Sequence, residues 1–202
     1  MTQTYLALGD SYSIGEQVPL SESFPYQTIL QLRQTMPSEE WLAPEILAKT
    51  GWTTDELWEA IKRYHFLPRY DFVSLLIGVN NQYRGRPADQ FQSEFRRLLD
   101  FAVDCAGGEI NRVTVLSIPD WGVTPFASNR DRQQIAKDID EYNGACALEA
   151  AAAGVHFLDI TTSQRSVGHL ADFLAGDQLH PSGNEYAKWA NALAETMKQV
   201  IE

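Results

Sequence analysis

The sequence predicts an α/β fold with three layers, in which helices cover both faces of a five-stranded parallel sheet. Five short apolar runs recur along the 202 residues, and helix-like stretches separate them. The runs around Val73 and Val115 are almost continuous in Val, Leu and Ile, as in strands that are buried on both faces. Strands that alternate with helices form right-handed crossovers and a parallel sheet. We predict the flavodoxin-like strand order 2-1-3-4-5.

The individual elements follow from these runs and from helix-end signals. Thr53 and Glu56 have the spacing of a capping box at a helix start. Ser182 and Glu185 have the same spacing, and Pro87 suits a first helical position. The predicted strands are residues 5–8, 45–48, 72–77, 113–118 and 155–160, and the predicted helices are residues 24–34, 54–64, 87–105, 131–153 and 183–201.

Length and composition are those of one globular domain that spans residues 1–202. Hydrophobic residues make up 44% of the chain and charged residues 21%, which is ordinary for such a domain. The net charge of -11 would repel a phosphate backbone, so we expect no nucleic-acid partner. No basic leader segment precedes the first apolar run, and no stretch approaches the roughly 18 apolar residues of a membrane span. We therefore expect a soluble cytoplasmic protein.

The two cysteines, Cys105 and Cys146, fall in predicted helices beside alanine. We interpret them as small buried apolar side chains, since neither has the spacing of a zinc ligand set. No cluster of His, Cys, Asp and Glu in the sequence supports a metal hydrolase. The sequence thus predicts neither a metal nor a cofactor.

Polar motifs follow three strands that are neighbours in the predicted sheet. Ser11 follows the first strand in the motif GDS, Gly51 follows the second in KTG, and Asn80 follows the third in GVN. Because ligands bind at the carboxyl edge of such sheets, near the switch in strand order, we expect the three motifs to converge there. A fourth motif, DQLHP, contains Asp177 and His180 and precedes the last helix.

These residue types match the requirements of acyl transfer to a serine. Ser11 can act as nucleophile and His180 as its general base, with Asp177 orienting the imidazole. Backbone amides of Ser11 and Gly51, with the side chain of Asn80, can stabilise an oxyanion. Structural roles are the alternative for two of these residues. Asn80 could instead cap a turn, and Asp177 could shape a turn while a backbone carbonyl holds His180.

Together the four motifs resemble the SGNH or GDSL hydrolase family, in the same order along the whole chain. GDSYS resembles its nucleophile block, Gly51 its oxyanion glycine, GVNN its asparagine block and DQLHP its acid–base block. One departure is Asn81, where many members have Asp, but that position is not catalytic. The resemblance implies the SGNH hydrolase fold and hydrolysis of esters or thioesters, including lipids and acetylated sugars.

Contacts to the substrate are expected from loops 119–130 and 161–176, which follow the last two strands. Trp121 and Phe173 could receive an acyl chain, although these loops could equally pack on themselves. Tyr83 and Arg84 follow Asn80 and could contact an alcohol or an anionic leaving group, or Arg84 could simply be solvated. Without an obvious lid domain, we expect a small ester with a short, soluble acyl chain as substrate.

Two readings from other functional classes compete with the hydrolase. A flavin-binding redox module is suggested by the hydroxyl-rich segment SYSIG after the first strand, but it leaves Asp177 and His180 unexplained. A purified protein with flavin absorbance would support it. The second is a binding module without catalytic activity on the hydrolase fold, which labelling by a fluorophosphonate would exclude.

Overall fold

The computed structural model describes residues 2–201. Its central sheet has five parallel strands, which, numbered along the chain, lie in the order 2-1-3-4-5. This order confirms the predicted arrangement 2-1-3-4-5. A separate short sheet pairs Thr2–Gln3 with Glu40–Trp41 in parallel. The strands of the central sheet are β1 (Tyr5–Gly9), β2 (Glu45–Ala48), β3 (Phe72–Leu76), β4 (Val113–Leu116) and β5 (His156–Leu158).

Eight α-helices connect and cover these strands within the described residues. The five longer helices are the predicted ones, while three short helices, which follow the first, third and fifth strands of the central sheet, were not predicted. Those three have only four to seven residues, too few to show an apolar period. The helices are α1 (Ser11–Ile14), α2 (Phe24–Thr35), α3 (Thr54–Ile61), α4 (Val79–Tyr83), α5 (Ala88–Cys105), α6 (Arg132–Ala153), α7 (Thr161–Val167) and α8 (Gly183–Ile201).

The helices form two layers around the sheet, as predicted. Helices α2 and α8 pack against each other, and α5 packs against both α3 and α6. Every residue of β1 and β3 is buried, which explains why their sequences are apolar without alternation. Large side chains such as Trp189, Phe91 and Phe95 fill the space between the layers.

Only one of the three predicted helix starts has the contacts that the sequence indicated. The Glu56 carboxylate accepts a hydrogen bond from the Thr53 amide at 2.9 Å, in the predicted capping box. Pro87 lies just before α5 rather than in its first position. The capping box predicted for Ser182 and Glu185 is wrong. Glu185 is buried and accepts instead from the Trp189 indole at 3.0 Å.

The strand register brings the predicted motifs to one edge of the sheet. Gly9 of β1 pairs with Ala48 of β2 and with Leu76 of β3, so the three strands end at the same level. Ser11, Gly51 and Asn80 each follow within four residues of these ends. Within residues 2–201, no helix combines the length and apolar character needed to cross a membrane.

Candidate active site

Ser11 is held by a tight turn between β1 and α1. A side chain at Gly9 would place its Cβ 2.0 Å from Ser13 Oγ and 2.4 Å from the Leu76 carbonyl oxygen, so only glycine fits. The Asp10 carboxylate then accepts the Tyr12 amide at 3.0 Å and caps α1. These contacts fix Ser11 at the first position of the helix, where it is 4% exposed.

His180 is held by a short closed loop before α8. Leu174 and Pro181 form an isolated antiparallel bridge, and the Ala175 amide donates to the His180 carbonyl at 2.8 Å. Inside the loop Gln178 has a φ of 59°, a left-handed conformation that is uncommon for residues other than glycine. The Gln178 carbonyl accepts from the Phe126 amide at 3.2 Å. The loop that carries His180 is therefore tied to the loop after β4.

Asp177, His180 and Ser11 form a continuous hydrogen-bonded chain. Asp177 Oδ2 lies 2.6 Å from His180 Nδ1, and His180 Nε2 lies 2.9 Å from Ser11 Oγ. The other carboxylate oxygen of Asp177 accepts the amides of Leu179 and His180, each at 3.0 Å. With one oxygen on the ring and the other on the backbone, Asp177 fixes both the position and the tilt of the imidazole.

The charge state of Asp177 follows from the same contacts. Partial burial alone would raise the pKa of Asp177, but the hydrogen bonds from the His180 ring and from the two amides outweigh it. The pKa of Asp177 is lowered below its ordinary value. The carboxylate is therefore ionised at neutral pH, as required for a group that accepts a hydrogen bond from an imidazole.

Gly51 is required for its backbone conformation rather than for space. Its φ is +84°, while a Cβ there would meet no atom closer than Arg84 Nη2 at 3.8 Å. The Gly51 carbonyl accepts from Arg84 at 2.7 Å. Its amide donates to no other group in the described chain, and the residue lines the same cavity as Ser11. That amide is therefore available to a bound ligand.

Asn80 lies on α4 at the same edge. Its side-chain nitrogen donates one hydrogen bond to the Trp52 carbonyl at 3.0 Å, and a primary amide has a second N–H. The neighbouring Asn81 is fully buried. It accepts the Thr54 amide at 3.1 Å and donates to the Thr54 hydroxyl at 2.7 Å. Asn81 thus joins α4 to the start of α3, and Asn80 faces the cavity.

A cavity of about 220 Å³ opens beside Ser11 and His180. Tyr83 and Trp121, two of the residues predicted to contact the substrate, line it. Most of its remaining wall comes from other side chains of the four predicted motifs, mainly apolar ones, for which no role was predicted. The lining residues are Ser11, Tyr12, Thr50, Gly51, Val79, Asn80, Tyr83, Trp121, Phe126, Leu179 and His180.

Two residues predicted to contact the substrate lie elsewhere. Arg84 is not part of the cavity lining, because its guanidinium is bound to the Gly51 carbonyl and pairs with Glu56 at 3.2 Å. Phe173 is also outside the lining. Its ring lies 3.9 Å from Lys188 Nζ, because the turn that carries it packs toward α8.

Asp10 stands out electrostatically beside the nucleophile. It is fully buried, and its Oδ2 atom has no hydrogen-bond partner among residues 2–201. Burial raises the pKa of Asp10 to about 7, although the hydrogen bond from the Tyr12 amide opposes the shift. Near neutral pH the group directly before Ser11 is therefore divided between its protonated and ionised forms.

Sequence comparison identifies the family. A family profile described as "GDSL-like Lipase/Acylhydrolase family" matches residues 7–196, a span that contains the complete hydrogen-bonded chain. The chain belongs to the GDSL-like lipase/acylhydrolase family. It is therefore a member of a hydrolase family, which favours hydrolysis over the flavin-binding alternative. A comparison with curated protein sequences finds no match.

Solved structures show how closely the GDSL fold is shared. The lipase/acylhydrolase from Enterococcus faecalis superposes with a TM-score of 0.77 at 18% identity, over 98% of this chain and 96% of that one. Axe2, an acetylxylan esterase from Geobacillus stearothermophilus, superposes with a TM-score of 0.75 at 17% identity, over 96% of this chain and 94% of that one. The psychrotrophic esterase EstA from Pseudoalteromonas sp. superposes with a TM-score of 0.70 at 14% identity, over 98% of both chains. At these identities the likeness establishes the fold.

Proposed function

We propose that this GDSL family member hydrolyses carboxylic esters through a covalent acyl-enzyme on Ser11. One observation carries the proposal. The hydrogen-bonded chain from Asp177 through His180 to Ser11, with distances of 2.6 and 2.9 Å, ends at the wall of an open cavity. A serine hydroxyl, a base within hydrogen-bond reach and a group that orients the base are the requirements for activating a serine nucleophile.

The reaction uses the same proton path in both halves. His180 Nε2 accepts the hydroxyl proton as Ser11 Oγ attacks the ester carbonyl carbon, and then returns it to the alcohol oxygen when the C–O bond breaks. The acyl group stays on Ser11 Oγ. A water molecule then gives its proton to His180 and attacks the acyl carbon, after which the acid leaves and Ser11 Oγ regains the proton.

Three donors at the sheet edge would stabilise the negative carbonyl oxygen of the intermediate. The amide of Ser11 lies at the first position of α1, the amide of Gly51 has no acceptor within residues 2–201, and Asn80 retains a second side-chain N–H. All three residues line the cavity that contains Ser11 Oγ. Preorganised donors of this kind supply a large part of the rate enhancement in acyl transfer.

The size and polarity of the cavity favour a short acyl chain. Benzene fills an engineered cavity of about 150 Å³, so about 220 Å³ would hold roughly nine non-hydrogen atoms. Val79, Leu179 and Trp121 give it an apolar wall. The substrate class would therefore be esters of small acids, with short thioesters and acetylated sugars as variants of the same chemistry.

Labelling and turnover test this proposal together. A fluorophosphonate should label the wild-type protein at Ser11, and p-nitrophenyl butyrate should be hydrolysed. Ser11→Ala should lose both properties. Ser13→Ala is the matched control, because Ser13 lies on the same helix, is buried and does not line the cavity. A wild-type protein that binds esters but shows neither labelling nor turnover would instead be a binding module.

A further inference from the structure

Two cavities meet at the aromatic side chains of Tyr83 and Trp121. The first is the cavity beside Ser11. The second has a volume of about 300 Å³, and Arg130, Gln134 and Ile135 complete much of its wall. Because the same two residues line both cavities, they lie at the boundary between them.

Of the two, Trp121 is the fixed one. It is only 5% exposed, whereas Tyr83 is 48% exposed and belongs to the rim. The indole nitrogen of Trp121 donates to Gln82 Oε1 at 2.8 Å, a buried hydrogen bond. The preceding residue, Asp120, accepts the Gly122 amide and the Arg165 guanidinium, each at 2.8 Å. Backbone and ring are thus both held, so the indole cannot easily turn away from the cavity.

We propose that Trp121 sets the maximum acyl chain length, by closing the reaction cavity against the cavity behind it. The inference rests on the proposed ester hydrolysis. An acyl chain on Ser11 would extend along the apolar side chains of the first cavity and stop at the indole. On its other side, Ile135 and Tyr83 would provide further apolar surface, beside the polar side chains of Arg130, Asp131 and Gln134.

Replacing the indole should join the two cavities. In Trp121→Ala, the ratio of kcat/KM for the eight-carbon p-nitrophenyl ester to that for the four-carbon ester should rise about tenfold or more, since burial of two additional methylenes suffices for such a gain. Trp121→Leu should shift the ratio in the same direction. It also keeps an apolar side chain and serves as the test if Trp121→Ala does not fold.

The matched control is Trp41→Leu. Trp41 is as buried as Trp121 but stacks on Phe72 and lines neither cavity. Its replacement should leave the ratio unchanged, which separates a specific opening from general loosening of the core. Circular dichroism and fluorophosphonate labelling would confirm that each variant is folded and retains a reactive Ser11.

The outcomes distinguish this inference from the proposed function. If the wild-type protein hydrolyses short esters but both folded Trp121 variants keep its ratio within twofold, Trp121 does not limit the chain. A wild-type preference for the eight-carbon over the four-carbon ester would overturn the inference as well. If the wild-type protein is neither labelled nor active on any ester, the proposed function itself fails.

Discussion

Replacing Asp10 by asparagine should change how stability depends on pH. Among residues 2–201, the Oδ2 atom of Asp10 has no hydrogen-bond partner, and burial raises the pKa of Asp10 to about 7. In the unfolded chain the same carboxyl has its ordinary pKa of 3.8. Asparagine cannot ionise, but its side-chain oxygen can still accept the hydrogen bond from the Tyr12 amide. The substitution therefore removes the titratable group and retains the N-terminal cap of α1.

The sign and size follow from linkage between protonation and folding. Between pH 3.8 and about 7 the folded protein keeps a proton that the unfolded chain has lost. The contribution of Asp10 to stability is therefore fully present below pH 3.8 and is lost as pH rises to about 7. At about 1.4 kcal/mol per pH unit, the loss amounts to about 4 kcal/mol in total. About 3 kcal/mol of it falls between roughly pH 5 and 8.

Urea unfolding at about pH 5 and at about pH 8 measures the stability that is lost as Asp10 ionises. From about pH 5 to 8 the wild-type protein should lose about 3 kcal/mol more than Asp10→Asn, a relative shift of about 1 M in the urea midpoint. All other titratable groups are shared by both proteins, so their contributions cancel in the comparison. Parallel stability profiles for the two proteins would show that Asp10 ionises normally in the folded state.

Three further substitutions test the proposed mechanism by steady-state kinetics. Asn80→Ala should lower kcat by about 10²–10³ with little change in KM, as for loss of one oxyanion donor; a rise in KM alone would assign Asn80 to substrate binding. Asp177→Asn should lower kcat by about 10²–10⁴, because His180 Nδ1 loses the acceptor that fixes its tautomer, and near-normal turnover would contradict that role. His180→Ala should be nearly as damaging as Ser11→Ala, and the double variant little worse than either. Additive losses would show that the two residues do not act as a unit.

The position of the site could be predicted from sequence because it depends on strand ends. Parallel strands with buried faces have a strongly specified register, so motifs that directly follow neighbouring strands must converge. Ser11, Gly51 and Asn80 are such residues. His180 could be placed with them only through the chemistry of its motif, since it lies far along the chain from Ser11.

Side-chain directions in irregular segments could not be predicted in the same way. Phe173 and Arg84 are close in sequence to site residues, yet one packs under Lys188 and the other binds the Gly51 carbonyl. The capping box at Ser182 failed for a related reason. Glu185 instead accepts hydrogen bonds from Trp189, one turn further along the same helix, and from Ser163 of α7. The spacing of a capping box does not show such competing partners.

The hydrogen bond between the Phe126 amide and the Gln178 carbonyl joins the rim of the cavity to the loop that carries His180. Phe126 lies at the mouth, and Gln178 lies between Asp177 and His180. We expect an ester too bulky for the mouth to push Phe126 outward and, through this hydrogen bond, to shift the peptide that aligns the His180 imidazole with Ser11. Under the proposed mechanism, oversized esters should then lose kcat as well as affinity. An increase in KM alone for bulky esters would show that the rim and the His180 loop move independently.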